Sequence, residues 1–182
     1  MSKNKVTKNS REKILALEKS LINISDGVNV EGDGNKIVRD GNIAPIKHTF
    51  ADGVYVRQMD MKKDTVVVGA IHKHLHVWFL LVGDVTIATE DTTEDYIAPC
   101  YIVSTPGVKR VIYAIEVNVT GTTNVLQASR EANVKRVIYS NEDSIFVNIH
   151  KNPTNTKDLD KLEKEIVALN YEEYEKYINK NK

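Results

Sequence analysis

The stretch Gly69–Ile87, "GAIHKHLHVWFLLVGDVTI", decides how the rest of the chain is read. It begins with histidines at every second position, His72, His74 and His76. A run of strand-forming residues follows, with Gly83 inside it. In an extended strand, residues 72, 74 and 76 project to one face. Imidazoles converging on a barrel interior are a reasonable ligand set for Zn, Fe, Mn, Ni or Cu. His150, in "FVNIH", is a fourth candidate. With His72 and His76 as two ligands, His74 or His150 is expected to be the third. The plain alternative is a polar strand end with one or two exposed histidines.

On either side of this stretch the same texture continues. "GVYVRQMDM", "DTVVVGAIH", "HVWFLLVGDVTIATE" and "YIAPCYIVSTPG" are short runs rich in β-branched and aromatic residues. Gly, Asp and Pro punctuate them at roughly ten-residue spacing, which predicts an antiparallel sandwich or barrel. The flanks read differently. "NSREKILALEKSLINI" is predicted to be a helix, with Asn9 and Glu12 as cap and Ile14, Leu17 and Leu21 on one face. The Gly/Asp/Asn-rich "SDGVNVEGDGNKIVRDGN" after it is turn or arm chemistry. The tail "NTKDLDKLEKEIVALNYEEYEKYINKNK" is predicted helical, with Leu159, Leu162, Ile166 and Leu169 as a docking stripe that Tyr171, Tyr174 and Tyr177 continue.

The 182 residues suffice for one domain with a core of its own. Lys+Arg and Asp+Glu both number 25, which argues against a general nucleic-acid or anionic-membrane binder. No apolar run approaches the roughly 20 residues that span a bilayer, and the polar start reads as no signal peptide. The expected localisation is the cytoplasm of a host cell, or a virion. The single cysteine, Cys100, excludes an internal disulfide framework and a Cys-rich zinc site, and in "IAPCYIV" it reads as a small buried hydrophobe.

One hexapeptide occurs twice. "VKRVIY" at Val108–Tyr113 returns at Val134–Tyr139. Between the copies, "VTGTTNVLQASREANV" reads as a lone helix in β territory, with Thr120 as N-cap and Asn133 as terminator. Removing Val117–Glu142 leaves "STPGVKRVIYAIE" running into "DSIFVNIH", a continuous strand–turn–strand. The segment is therefore read as an insert joined at a hairpin, with the first copy keeping its place in the sheet. The domain reading is an N-terminal helix and arm over 1–47, a barrel over 48–150 interrupted by 117–142, and a C-terminal helix over 151–182.

"GAIHKHLHVWFLLVGDVTI" with "APCYIVSTPGVKRVIYAI" resembles the cupin superfamily. That resemblance implies a mainly β, cupin-like jelly roll, a double-stranded β-helix, with N- and C-terminal helices and an inserted helix–strand unit. Anchored on Gly83, it places His76 at the usual glutamate position and His72 at the second histidine position of the first cupin motif. Ala70 then stands where the first histidine belongs, and Arg110 where the second motif has its histidine. Together with "KHTFADGVYVRQM" and "IFVNIHKNPTNTKDLDKLEKEIVA", these stretches are similar to small cupins encoded in tailed bacteriophage genomes. Val117–Asn141 resembles a helix–strand piece of the extended short-chain dehydrogenase/epimerase family, which makes the chain a chimera of natural or laboratory origin. The rest of that family's machinery is missing from the sequence. No G-x-G-x-x-G is present, and no tyrosine is followed four residues later by lysine.

The functional expectation is a phage-type cupin of no evident catalytic activity, a metal- or small-ligand-binding or virion-associated module. A metal-dependent cupin enzyme acting on a small molecule is the alternative. The expected cofactor is a divalent transition metal (Zn, Fe, Mn or Ni), without NAD. Expected partners are a second copy of the chain, a dimer being favoured, and other phage proteins, but neither nucleic acid nor membrane.

Overall fold

Two-residue alternation governs the strands. In "VYVRQMDM" it puts Tyr55, Met59 and Met61 on one buried face. In "SIFVNIHK" it does the same for Ser144, Phe146, Asn148 and His150. The structure, a computed structural model, describes residues 12, 15, 16, 19, 20, 41–63, 65–89, 92–109, 111–114 and 143–181. The strands are β1 (Ile46–Ala51), β2 (Val54–Met61), β3 (Thr65–Val68), β4 (Ile71–His72), β5 (His76–Val82) and β6 (Asp84–Ala88). They continue with β7 (Thr93–Ile97), β8 (Cys100–Ser104), β9 (Val111–Ala114) and β10 (Ser144–Lys151). Helix α1 (Leu159–Ile166), strand β11 (Val167–Ala168) and helix α2 (Tyr171–Lys180) complete the order.

Every pairing among these strands is antiparallel. One sheet runs β1-β2-β10-β5-β8, a second β3-β9-β6-β7, and β11 pairs with β4. The two larger sheets share one core. Met59, Met61, Trp78, Leu80 and Phe146 from the first meet Val85 and Ile87 from the second. Trp78 stacks on Phe146 at 4.6 Å and meets the Tyr96 ring edge-on at 5.2 Å. Burying side chains of this size contributes about 1.5–3 kcal/mol each. The architecture is mainly β, with antiparallel sheets packed on one core, as the strand pattern predicts and as the cupin-like jelly roll implied by the resemblance requires.

The register sorts the inner face of the first sheet into rows. One is apolar: Ile46, Met59, Phe146, Leu80 and Cys100. The next mixes His48, Arg57, Asn148, Trp78 and Ile102. At the far end Phe50 and Tyr55 lie beside His150, and His76 faces Ser104. The barrel interior is therefore oily at one end and polar at the other. Cys100 packs partly buried against the oily end, where burial pushes its thiol up.

Several boundaries differ from the sequence reading. The run "HVWFLLVGDVTIATE" divides at Gly83 into β5 and β6, which belong to different sheets. Gly83 has a φ of +89°, and a side chain there would run into Ser144 and the Asp143 carbonyl. Only glycine turns this corner easily. The tail is two helices, not one. Val167 and Ala168 pair with His72 and Ile71, taking up a strand edge that a continuous helix would leave open. Asn170 then restarts the helix by accepting from Glu173 N at 2.9 Å, while Glu173 accepts from Leu169 N at 3.0 Å. Leu162 and Ile166 are buried as expected, but Leu169 leaves the stripe and is exposed.

The first VKRVIY copy supplies β9, which pairs with both β3 and β6. The second copy and the predicted insert helix lie outside the described residues. The junction is not a hairpin, however. β9 and β10 belong to different sheets and do not pair with each other. β10 is flanked by β2 and β5, leaving no edge for a further strand. Of the predicted N-terminal helix, Glu12, Leu15, Ala16, Lys19 and Ser20 are described, and each is helical. The cap residue Asn9 and the apolar face of Ile14, Leu17 and Leu21 lie outside the described residues.

Candidate functional site

Three of the four candidate histidines meet at the polar end of the barrel. His72 ends β4, His76 begins β5, and His150 lies near the end of β10. Ring centres are 4.1 Å apart for His72 and His76, 5.0 Å for His72 and His150, and 4.8 Å for His76 and His150. His76 and His150 are buried, at 4% and 5% exposure.

His74 does not join them. The strand expected to carry residues 72, 74 and 76 on one face is interrupted by a bend at Lys73 and His74. Two-residue alternation holds only within unbroken strand, so the shared face is lost. The His74 ring instead meets Tyr177 of α2 edge-on at 5.7 Å, with the Tyr177 hydroxyl 3.5 Å from Nδ1. Arg110, at the cupin histidine position, lies outside the described residues.

The strands bring further polar groups to the same end. Tyr55 stacks 6.0 Å from His150 and 5.9 Å from His48, and its hydroxyl lies 2.7 Å from His48 Nδ1. Arg57, Asn148 and Ser104 share the inner face. None of these five was singled out from sequence. Their signal was the alternation in "KHTFADGVYVRQM" and "SIFVNIH", which puts His48, Tyr55, Arg57 and Asn148 in phase with the core residues of their strands.

Helix α1 covers this end, with Leu162 and Ile166 buried against Tyr55 and Phe50 beside them. Burial holds His150 far below its ordinary value, at about 3, with His76, Arg57 and His74 adding like charge. It is therefore a neutral imidazole at pH 7, the form that coordinates metals. Burial also lowers the Arg57 guanidinium, against opposing pulls from Tyr55 and from Glu163 on α1. Ser104 Oγ and Trp78 Nε1 are buried without a hydrogen-bond partner. Each has a hydrogen bond still to make.

A metal–nitrogen bond of about 2.1 Å puts a ring centre about 3.2 Å from the ion; the tetrahedral angle of zinc then sets two rings about 5.2 Å apart, wider than any pair here, and the right angle of an octahedral site about 4.5 Å. The observed spacings of 4.1 to 5.0 Å bracket that value. Spacing alone does not make a site. Among the described residues, no group of three or more His, Cys, Asp or Glu side chains stands ready to hold a metal ion.

Similar folds occur among solved structures. KdgF from Halomonas sp. superimposes with a TM-score of 0.41 and 9% identity, over 60% of this chain and 78% of that one. An RmlC-like cupin from Shewanella frigidimarina NCIMB 400 gives 0.43 and 12%, over 74% and 95%. An RmlC-like cupin family protein with a double-stranded beta-helix fold, from Methanocaldococcus jannaschii, gives 0.42 and 13%, over 70% and 96%. At this level the likeness says nothing about chemistry. No protein of curated function matches the sequence.

A sequence-family profile does match, over residues 50–180, and it is that of the 3-beta hydroxysteroid dehydrogenase/isomerase family. The matched span includes Val117–Asn141, the piece that resembles the related epimerases, as well as strands β2 to β10. By that match the chain belongs to the 3-beta hydroxysteroid dehydrogenase/isomerase family, in a fold whose described strands all pair antiparallel.

Proposed function

We propose that this protein is a non-catalytic jelly-roll module that holds a divalent transition metal ion through His72, His76 and His150. The observation that carries the reading is the mutual approach of these three rings, all within 5.0 Å, at the polar end of the barrel. A bound ion would act as a cross-link, tying β4, β5 and β10 together, and the imidazoles must turn for their nitrogens to converge on it. Ser104 Oγ, beside His76, would serve an additional ligand atom. The burial of His76 and His150, with α1 packed on the neighbouring Tyr55, supports a structural role. Metal analysis of protein purified without an affinity tag tests this. About one equivalent of metal is expected, falling to background in a His72→Ala, His150→Ala double variant; metal-free protein, or undiminished metal in the variant, refutes it.

Family membership does not bring a nicotinamide cofactor into this reading. The phosphate-cradling glycine loop and the Tyr–Lys pair are both missing from the sequence. Calorimetry with NADH and NADPH should show no saturable binding below about 100 µM, a range well within reach of a true dinucleotide site. The likeness to phage-encoded cupins supports placing the module in a virion or among infection-stage accessory proteins.

A further inference from the structure

On the outer side of the same bend lies a cleft of about 270 Å³. Lys73 and His74 come from the bend, Lys151 from the end of β10, Lys164 and Glu165 from the end of α1, and Tyr177 from α2. Lys73 is its fixed wall. The Lys73 side chain is 9% exposed; Nζ donates to the Lys164 carbonyl at 2.8 Å and to Glu173 Oε1 at 3.1 Å, and lies 5.5 Å from the Tyr177 ring centre. His74 is held between the Tyr177 hydroxyl and the Glu165 backbone.

Lys151 and Lys164 differ from Lys73. Both are exposed, and among the described residues neither has a carboxylate partner. Three lysines against Glu165 and Glu173 leave the cleft one cation in excess. Lysine ammonium groups bind phosphate as point charges, and an aromatic wall suits the carbon skeleton attached to one. The volume falls just below the 300–1,000 Å³ of drug-sized pockets and suits a guest the size of a small sugar phosphate. The geometry points to this cleft as a binding site for a small phosphate ester, held by Lys151 and Lys164 against Tyr177. The site is separate from the histidine cluster and stands whether or not that cluster takes metal.

Ribose 5-phosphate, ribose and inorganic phosphate, each titrated calorimetrically at low ionic strength, test the assignment. Ribose 5-phosphate is expected to bind with one-to-one stoichiometry and ribose not at all, with inorganic phosphate weaker than the ester. A Lys151→Gln, Lys164→Gln double variant should lose about tenfold or more in affinity, the scale of one charge-assisted contact, and a Lys→Arg pair at the same positions should keep it. Both lysines are exposed, so an unchanged melting transition is expected in each variant; if the double variant melts early, Lys151→Gln alone is read instead. No saturable heat with ribose 5-phosphate, or equal affinity in the folded Gln variant, overturns the proposal.

Discussion

The Tyr55 hydroxyl and His48 Nδ1 lie 2.7 Å apart, joining β1 to β2 at the polar end of the barrel. Tyr55 also has Phe50 and His150 on its ring, so one side chain links the sheet edge to the histidine cluster. Tyr55→Phe keeps the rings and removes the hydroxyl, leaving the part-buried His48 Nδ1 without this bond. A loss of about 1 kcal/mol is expected, read as a fall of a few degrees in melting temperature. A change within error would mean that the bond contributes nothing net.

His150 makes metal-free protein sensitive to acid. Its pKa is about 3 when folded against 6.5 when free, so between these values the unfolded chain takes up a proton that the folded chain refuses. The stabilisation is complete above about pH 6.5 and is lost as the pH falls towards 3, to the order of 4 kcal/mol. Denaturant titrations at pH 7, 5 and 4 measure it. A His150→Asn variant should lose much of the slope; the same slope in both proteins would assign it to other groups.

Gly83 should tolerate no side chain. Its positive φ and the closeness of Ser144 and the Asp143 carbonyl penalise even a methyl group. Gly83→Ala is expected to cost about 2 kcal/mol or more by chemical denaturation. Gly53 also has a positive φ, but a methyl group added there would meet nothing within 4 Å, so Gly53→Ala should cost less. The reverse order would mean that backbone strain, not crowding, dominates at Gly83.

The two hexapeptide copies can be distinguished by proline. Val111 pairs with Val68 on one side and Ala88 on the other, so Val111→Pro interrupts a strand inside its sheet. A large fall in melting temperature is expected there, and a much smaller one for Val137→Pro. Equal small losses would mean that either copy can occupy the place of β9.

Much of the fold was legible because it rests on local rules. Short β-rich runs such as "GVYVRQMDM" identified strands, and His72, His74 and His76 stood out together by spacing. Local pattern reaches no further than a few residues, which is why "EKEIVALNYEEY" looked like one helix. What divided it was the open edge of Ile71 and His72, a strand distant in sequence whose backbone groups Val167 and Ala168 satisfy.

The sequence by itself determined the antiparallel β character, the punctuating glycine and which histidines were available. Tertiary structure alone decided which of them meet. A bend after His72 sent His74 outward to Tyr177, and the register of β10 between β2 and β5 carried His150 in from more than seventy residues away. The same register put His48, Tyr55, Arg57 and Asn148 at one end of the interior. Side-chain direction follows local alternation, but which strands lie side by side is fixed by how two sheets bury their apolar rows together.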